Sequence, residues 1–560
     1  MESHAREPSC LPLLDLRLTR RRFLAGAGMG AAGLVAAGCS GSTSHTSQRA
    51  APPPLGSRDP RTLVVAVDAD VEDLDPATNI DWAFGLAPVY DTLVKLDGRD
   101  VSKTIAGLAT RFEPSGGSSV WTCGLRPGVM FQDGTKCDAN AVKASITRTI
   151  NLPQGIGYLW GIHDPGKQIV VVDPATLRFD LGHPRPFFNL EVASQYGFYI
   201  DNAAAAMQHS TGPKDLGNVW LRSHPVGTGP YTVQSLRVGQ QTVFAKFPGY
   251  WGGWSGAHFE KVIALTIPDP STRRQLLQSG GADIVWPGTP TDIAALEQDP
   301  RFTVNRSPTF TVEYIALGMY GPLADPRARQ AMNYAFDTAG YIKGVERDTV
   351  TPTHGDFPDL LATADRSLKN ISYDLNRAKQ LFAAAGVKPG TELTYEYYTG
   401  FGSEAGLALQ ASLSQIGLRL KLIEKSYSGF INDYFSSAPT GQRPNMYFFS
   451  WWPNYNHPWS WAQPLFTKSG WGYAGGNAGL YYNAEVDRLV TSMENELIDS
   501  SLETKSRRVQ QILASEDPPW IPIAQEPVNI TYRNDIGGVG FNPLYVLTLD
   551  LYPMFRRSTA

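Results

Sequence analysis

Two spacings of apolar residues alternate along this chain, one suited to strands and one to helices. Thr62-Leu-Val-Val-Ala-Val67 is an unbroken β-branched run, short enough for a buried strand. Asp73-Leu-Asp-Pro76 breaks it, and Ala87-Pro-Val-Tyr-Asp-Thr-Leu-Val94 reads as the start of a helix. Val120 to Phe131 reads as two strands around Pro127-Gly128, with Asp133-Gly134 marking the next turn. Asp138 then caps a helix through Ile150, whose apolar positions Val142, Ile146 and Ile150 recur every fourth residue. Leu409, Leu413 and Ile416 repeat the helical spacing until Gly417 ends it. Directly afterwards Leu418, Leu420 and Leu422 alternate with Arg419 and Lys421, the period of a strand. Met446-Tyr-Phe-Phe-Ser-Trp-Trp452 reads as another buried strand. Helices followed at once by strands predict α/β lobes, and 560 residues are too many for one core.

Composition adds little that is specific. A formal charge of −4, with no long block of one sign, gives no reason to expect a nucleic-acid partner. The 13 Trp, 24 Tyr and 24 Phe supply rigid, amphipathic surface of the kind that lines ligand pockets, although most such rings belong to cores.

The first residues read as an address. Thr19-Arg-Arg-Arg-Phe-Leu24 fits the twin-arginine pattern and leads into an uncharged run from Leu24 to Gly38. That run is too short for a comfortable membrane span. It ends in Ala36-Ala37-Gly38-Cys39, which resembles the site where bacterial lipoproteins are cleaved and acylated on Cys, with Ala36 where a bulkier residue is usual. Residues 1–38 are therefore expected to be a signal peptide and Cys39 the lipidated residue. Gly28-Met-Gly-Ala-Ala-Gly33 matches GxGxxG, but no strand precedes it, so it is not a dinucleotide site. Residues 39–60, rich in Ser, Thr, Ala and Pro, read as a flexible tether. The expected location is the outer face of the cytoplasmic membrane, or periplasm, with the body held by a lipid anchor.

The body carries Cys123 and Cys137 on either side of the expected hairpin, and in an oxidising compartment they are expected to form a disulfide. CxxC, HExxH, GxSxG and Walker A patterns are all missing, so no metal, no cofactor and no catalytic residue is expected.

Five blocks, taken together and in order, resemble family 5 of the bacterial extracellular solute-binding proteins, the oligopeptide- and dipeptide-binding lipoproteins of ABC importers. They are Asp75-Pro76 with Val89-Tyr-Asp-Thr-Leu-Val94; Trp121 through Asp133-Gly134, with Cys123 where Phe is usual; and Pro225-Val-Gly-Thr-Gly-Pro-Tyr231 with Tyr250-Trp-Gly-Gly253. Then come Asp325-Pro-Arg-Ala-Arg-Gln-Ala-Met332 with Tyr334-Ala-Phe-Asp337, and Tyr373-Asp374 with Ala378-Lys-Gln-Leu381 and Ala385-Gly386. The resemblance implies a two-lobed periplasmic-binding-protein-like fold with a hinge and three domains. Domain I comprises residues 61–103, 219–316 and 515–560; inserted domain II, 104–218; and domain III, the opposing lobe, 317–514. It also implies a monomer that closes on a small polar solute, most simply a peptide, and hands it to ABC permease and ATPase subunits. Gly227, Gly229 and Pro230 are expected to set a chain turn. A secreted hydrolase or a ligand sensor on the same fold, and a sugar or other non-peptide ligand, are the alternatives.

In peptide-binding members the loop after the Met446–Trp452 run carries an Asp that pairs with the ligand's α-ammonium group. Asn454 stands there in this sequence, and an amide offers that group no charge. Free-amine peptides are thus expected to bind poorly unless Asp81, beside Trp82, compensates from the other lobe. The expected ligand-binding residues are Asp81, Trp82, Trp451, Trp452, Asn454, Tyr455, Asn456 and His457. The start of the helix after Tyr398-Thr-Gly-Phe-Gly-Ser403 is a weaker expectation, as a seat for an anionic ligand group.

Overall fold

The computed structural model describes residues 59–79, 83–472 and 475–557. The expected signal segment, Cys39, most of the expected tether, and Asp81 and Trp82 lie outside the described residues. A mixed 11-stranded sheet organises the body. Across it lie, in order, Arg419–Lys425, Glu392–Tyr398, Met446–Trp451, Phe302–Leu317, Trp520–Arg533, Ile284–Trp286, Thr62–Val67, Lys261–Thr266, Gln241–Lys246 and Tyr231–Arg237, with Thr351–Pro352 paired beside Trp520–Arg533. Thr62–Val67 runs parallel to both neighbours and is buried throughout, which explains its unbroken apolar run.

The two longest strands, Phe302–Leu317 and Trp520–Arg533, join the halves of this sheet. Their antiparallel register breaks between Ser307 and Thr311, and again between Glu313 and Tyr314. Pro308, in the first break, has no N–H to give to a ladder. Before the break, residues 302–307 pair with 528–533 and connect through Ile284–Trp286 to Thr62–Val67. After it, residues 311–316 pair with 520–526 and with Met446–Trp451. One face of this second half, with Ile315, Leu317, Met446 and Phe448, packs on helices Pro326–Ala335 and Ser403–Gln415. On the other face Tyr314 stacks on Trp520 at 3.6 Å, above the buried Trp461.

A separate four-stranded antiparallel sheet is built from Ala109–Ser115, Val120–Leu125, Thr176–Asp180 and Ile169–Asp173, in that spatial order. Helix Ala139–Asn151 packs beside it. Asp138 caps that helix as expected, accepting from the N–H groups of Asn140 and Ala141. From its last turn Arg148 reaches Asp75, with which it pairs closely, and Asp201 at 3.4 Å, all essentially out of water. Burial pushes Asp201 up to about 6 against the opposing pull of Arg148.

Two expectations fail here for local reasons. Residues 87–94 do not form a helix, because their carbonyls serve distant segments of the chain. Pro88 O accepts from Tyr231, Val89 O from Gly229, Asp91 O from Ile200 and Leu93 O from Ala109. The chain does bend at Thr228–Pro230 as expected, and Gly227 and Gly229 are there as glycines of close approach: a Cβ on either would meet the Val89 backbone, at 2.1 and 2.5 Å. The Cys123–Cys137 disulfide is not formed, and both residues are free, buried thiols. Cys123 is held in the sheet opposite Phe112 and Leu177. Cys137 closes a different hairpin, its N–H on Val129 O.

Candidate functional site

The loop that follows strand Met446–Trp451 is short and tightly engaged. His457 is the N-cap of helix Pro458–Phe466: its Nδ1 accepts from the Trp459 N–H at 3.2 Å, and its Nε2 lies 3.0 Å from the Glu496 carbonyl. With Nδ1 accepting, the ring is the neutral Nε2–H tautomer. Burial agrees with that, holding its pKa down at about 4. Asn456 spends its side-chain oxygen on the Ala362 N–H, and the Ser460 hydroxyl accepts from the N–H groups of Asn454 and Tyr455. Tyr455 is buried against Phe187, ring centroids 6.0 Å apart, and Phe187 also covers His457 at 4.5 Å. This contact joins the loop to the segment just before helix Phe188–Ala193.

Tyr455, Asn456 and His457 therefore hold the loop, where the sequence suggested ligand contacts. Trp451, Trp452 and Asn454 stay half-buried, and Asn454 keeps its amide side chain unbonded among the described residues. Gly476 makes room for the Trp451 ring, since a Cβ there would lie 2.8 Å from it. Helix Ser403–Gln415 carries Glu404 in its first turn, the carboxylate accepting from the Ser403 hydroxyl. Its N-cap Gly402, at φ +98°, packs under Phe448 and receives the Tyr395 hydroxyl.

On the joining strands, on the sheet face opposite the Trp451 ring, sequence reasoning missed a group of acids. Glu313 stands opposite Ser450 on one side and Ala524 on the other. Glu526, two residues along on the same face, is its diagonal neighbour across the ladder. Burial first, then the charges of Glu526 and Glu346, push the Glu313 carboxyl well above its ordinary range. Burial, then Glu346, push Glu526 up to about 7. These residues are 213 positions apart, and no motif marks either.

The model of the bacterial extracellular solute-binding proteins, family 5, matches residues 103–473, more than half of the chain. The di/tripeptide-binding protein 2 of Pseudomonas aeruginosa (strain UCBPP-PA14) is 27% identical over 514 residues, covering 87% of this chain and 93% of the relative. The probable D,D-dipeptide-binding periplasmic protein DdpA of Escherichia coli (strain K12) is 28% identical over 505 residues, 88% of this chain and 94% of the relative. In fold, the ABC transporter-associated periplasmic binding protein DppA of Helicobacter pylori, solved with the peptide STSA, superposes with a TM-score of 0.78 at 22% identity, covering 89% of this chain and 98% of that one. The fold is accordingly the two-lobed α/β architecture of the periplasmic binding proteins. From these matches and the five ordered blocks it follows that this chain belongs to family 5 of the bacterial extracellular solute-binding proteins.

Proposed function

We propose that the protein is the solute receptor of an ABC importer, anchored by lipid on Cys39 outside the cytoplasmic membrane, and that its solute is a peptide or peptide-like molecule. The observation that carries this reading is the family match together with relatives of near-full-length coverage that are named for binding dipeptides and tripeptides. The arrangement suits the task. Half-buried Trp451 and Trp452 offer stacking surface, Asn454 a neutral polar contact, and the two long strands with broken register a place for lobes to hinge. On this reading residues 61–103, 219–316 and 515–560 with the inserted 104–218 form one lobe, and 317–514 the other. Ligand contacts to both lobes exist only when they are closed, so binding shifts the population to the form the permease engages.

Native mass spectrometry of protein purified without added ligand, followed by calorimetry with short peptides, tests the proposal. A co-purifying peptide, or micromolar or tighter binding of at least one di- or tripeptide, is expected. A co-purifying sugar or lipid, with no response to any peptide, would refute the peptide assignment.

A further inference from the structure

Glu313 is 6% exposed, and its Oε2 is buried with no hydrogen-bond partner among the described residues. An ionised carboxylate does not stay in such a place alone; it takes a proton or finds a cation. Among the described residues, neither Lys nor Arg stands with the charges that push on it. The charges that act on it come from Glu526 and Glu346, and Glu346 in turn meets the Tyr341 hydroxyl and the charge of Glu404. The charges of Glu526, Glu313 and Asp68 all act on the buried Tyr398 hydroxyl, at the end of strand Glu392–Tyr398. Asp68 is the first residue beyond strand Thr62–Val67 and has its own Oδ1 buried without a partner; Arg273, the one base acting on it, is tied to the carbonyls of Ile267, Pro268 and Pro287.

The position is as telling as the charge. Thr62–Val67 and Glu392–Tyr398 are each parallel to strand neighbours, and Asp68 and Tyr398 sit at their C-terminal ends, outside which α/β sheets take ligands. Between those ends run the two joining strands with Glu313 and Glu526. Ser450, half-buried opposite Glu313, shares its face of the sheet, and the next residue, Trp451, turns to the other face. Among the described residues no three acids, His or Cys draw close enough to hold a metal ion. Carboxylates spread in this way suit an organic cation, whose several N–H donors reach acceptors on different strands.

We propose that Glu313 and Glu526 form a receptor for a positively charged nitrogen of the ligand, an ammonium or guanidinium group, on the joining strands. The proposal rests on the peptide reading above. It replaces the charge that Asn454 lacks with carboxylates from a different part of the site. The incoming cation displaces the proton that the apo protein holds on this pair, so binding releases a proton. Affinity for cationic ligands falls as pH drops below about 7, by up to about tenfold per pH unit. The other titratable groups around the pair are Tyr341, Tyr398, Glu346 and Asp68, with Glu404 acting in turn on Glu346.

The test is calorimetry with four peptides: Ala-Lys-Ala, Ala-norleucine-Ala, and the N-acetyl form of each. Wild type, Glu313→Gln and Glu526→Gln are compared at pH 6 and 8, after thermal melts show that each is folded. Removing a repelling charge should leave both variants at least as stable as wild type at pH 8, and two variants guard against one misfolding. At least one cationic peptide is expected to bind wild type tenfold or more tighter than N-acetyl-Ala-norleucine-Ala at pH 8. Each Gln variant should lose that advantage while binding of the doubly neutral peptide moves less than twofold. An advantage that follows the free N-terminus assigns the α-ammonium; one that follows lysine assigns the side chain. Equal binding of charged and neutral peptides, or an advantage that survives both substitutions, overturns the proposal and leaves the peptide reading standing. Should no peptide bind while free arginine does, with the same loss on Glu526→Gln, the cation site holds and the peptide reading falls. Folded protein that binds neither peptides nor arginine refutes both.

Discussion

Asp356 offers a quantitative test of how this interior treats charge. It is 1% exposed, and neither carboxylate oxygen has a hydrogen-bond partner among the described residues. Its backbone carbonyl receives the Trp461 indole at 3.1 Å, and Phe357 beside it packs on Phe466, so the side chain cannot swing out to water without undoing that packing. Burial pushes its pKa from 3.8 up to about 7. A folded-state pKa raised in this way means the native protein holds a proton that the unfolded chain has lost. Stability is therefore given up as pH rises from about 4 to about 7, and stays low above that. At about 1.4 kcal/mol per tenfold in proton affinity, the loss between pH 5 and pH 8 is about 3 kcal/mol. Asp356→Asn abolishes the titration but leaves a buried amide unsatisfied, at roughly 1–3 kcal/mol at any pH. Urea unfolding at pH 5 should thus find the variant less stable than wild type, and at pH 8 equal or more stable. The difference between the two ΔΔG values should be about 3 kcal/mol, and the titration of Glu313 and Glu526, common to both proteins, cancels from it. An unchanged ΔΔG at the two pH values would show that Asp356 is ionised and solvated, and the reasoning would fail.

Arg148→Met should destabilise the protein by about 3–5 kcal/mol in denaturant unfolding, because it strands Asp75 and Asp201 as buried carboxylates without their cation. Cys123 and Cys137 should resist alkylation in the native protein and react fully in denaturant without reductant, since burial raises both thiols, Cys123 up to about 12. A disulfide recovered by non-reducing peptide mapping would contradict that structure. Cys39→Ala should leave the protein unprocessed or release it from membranes after a carbonate wash; retention with normal processing would argue against lipidation.

Strong local patterns decided the elements. The β-branched run of Thr62–Val67, the Asp138 cap with its fourfold apolar spacing, and the switch from helix to strand across Gly417 each carry their own signal within a few residues. The ordered blocks were equally legible, since they record short-range constraints such as the approach of Gly227 and Gly229 to Val89. Even there the sequence showed that glycine was required without showing why: a turn and a close contact leave the same letters. Residues 87–94 read as a helix because periodicity cannot reveal that strands distant in sequence will claim their carbonyls. The strand Met446–Trp451 and the loop after it were legible as elements, but the loop's residues divide by partner, and partners such as Phe187, Ala362 and Glu496 come from elsewhere in the chain. Glu313 and Glu526 meet only because two long strands lie antiparallel in one register. That pairing is tertiary, and so is the low dielectric that turns two ordinary glutamates into a place for a cation.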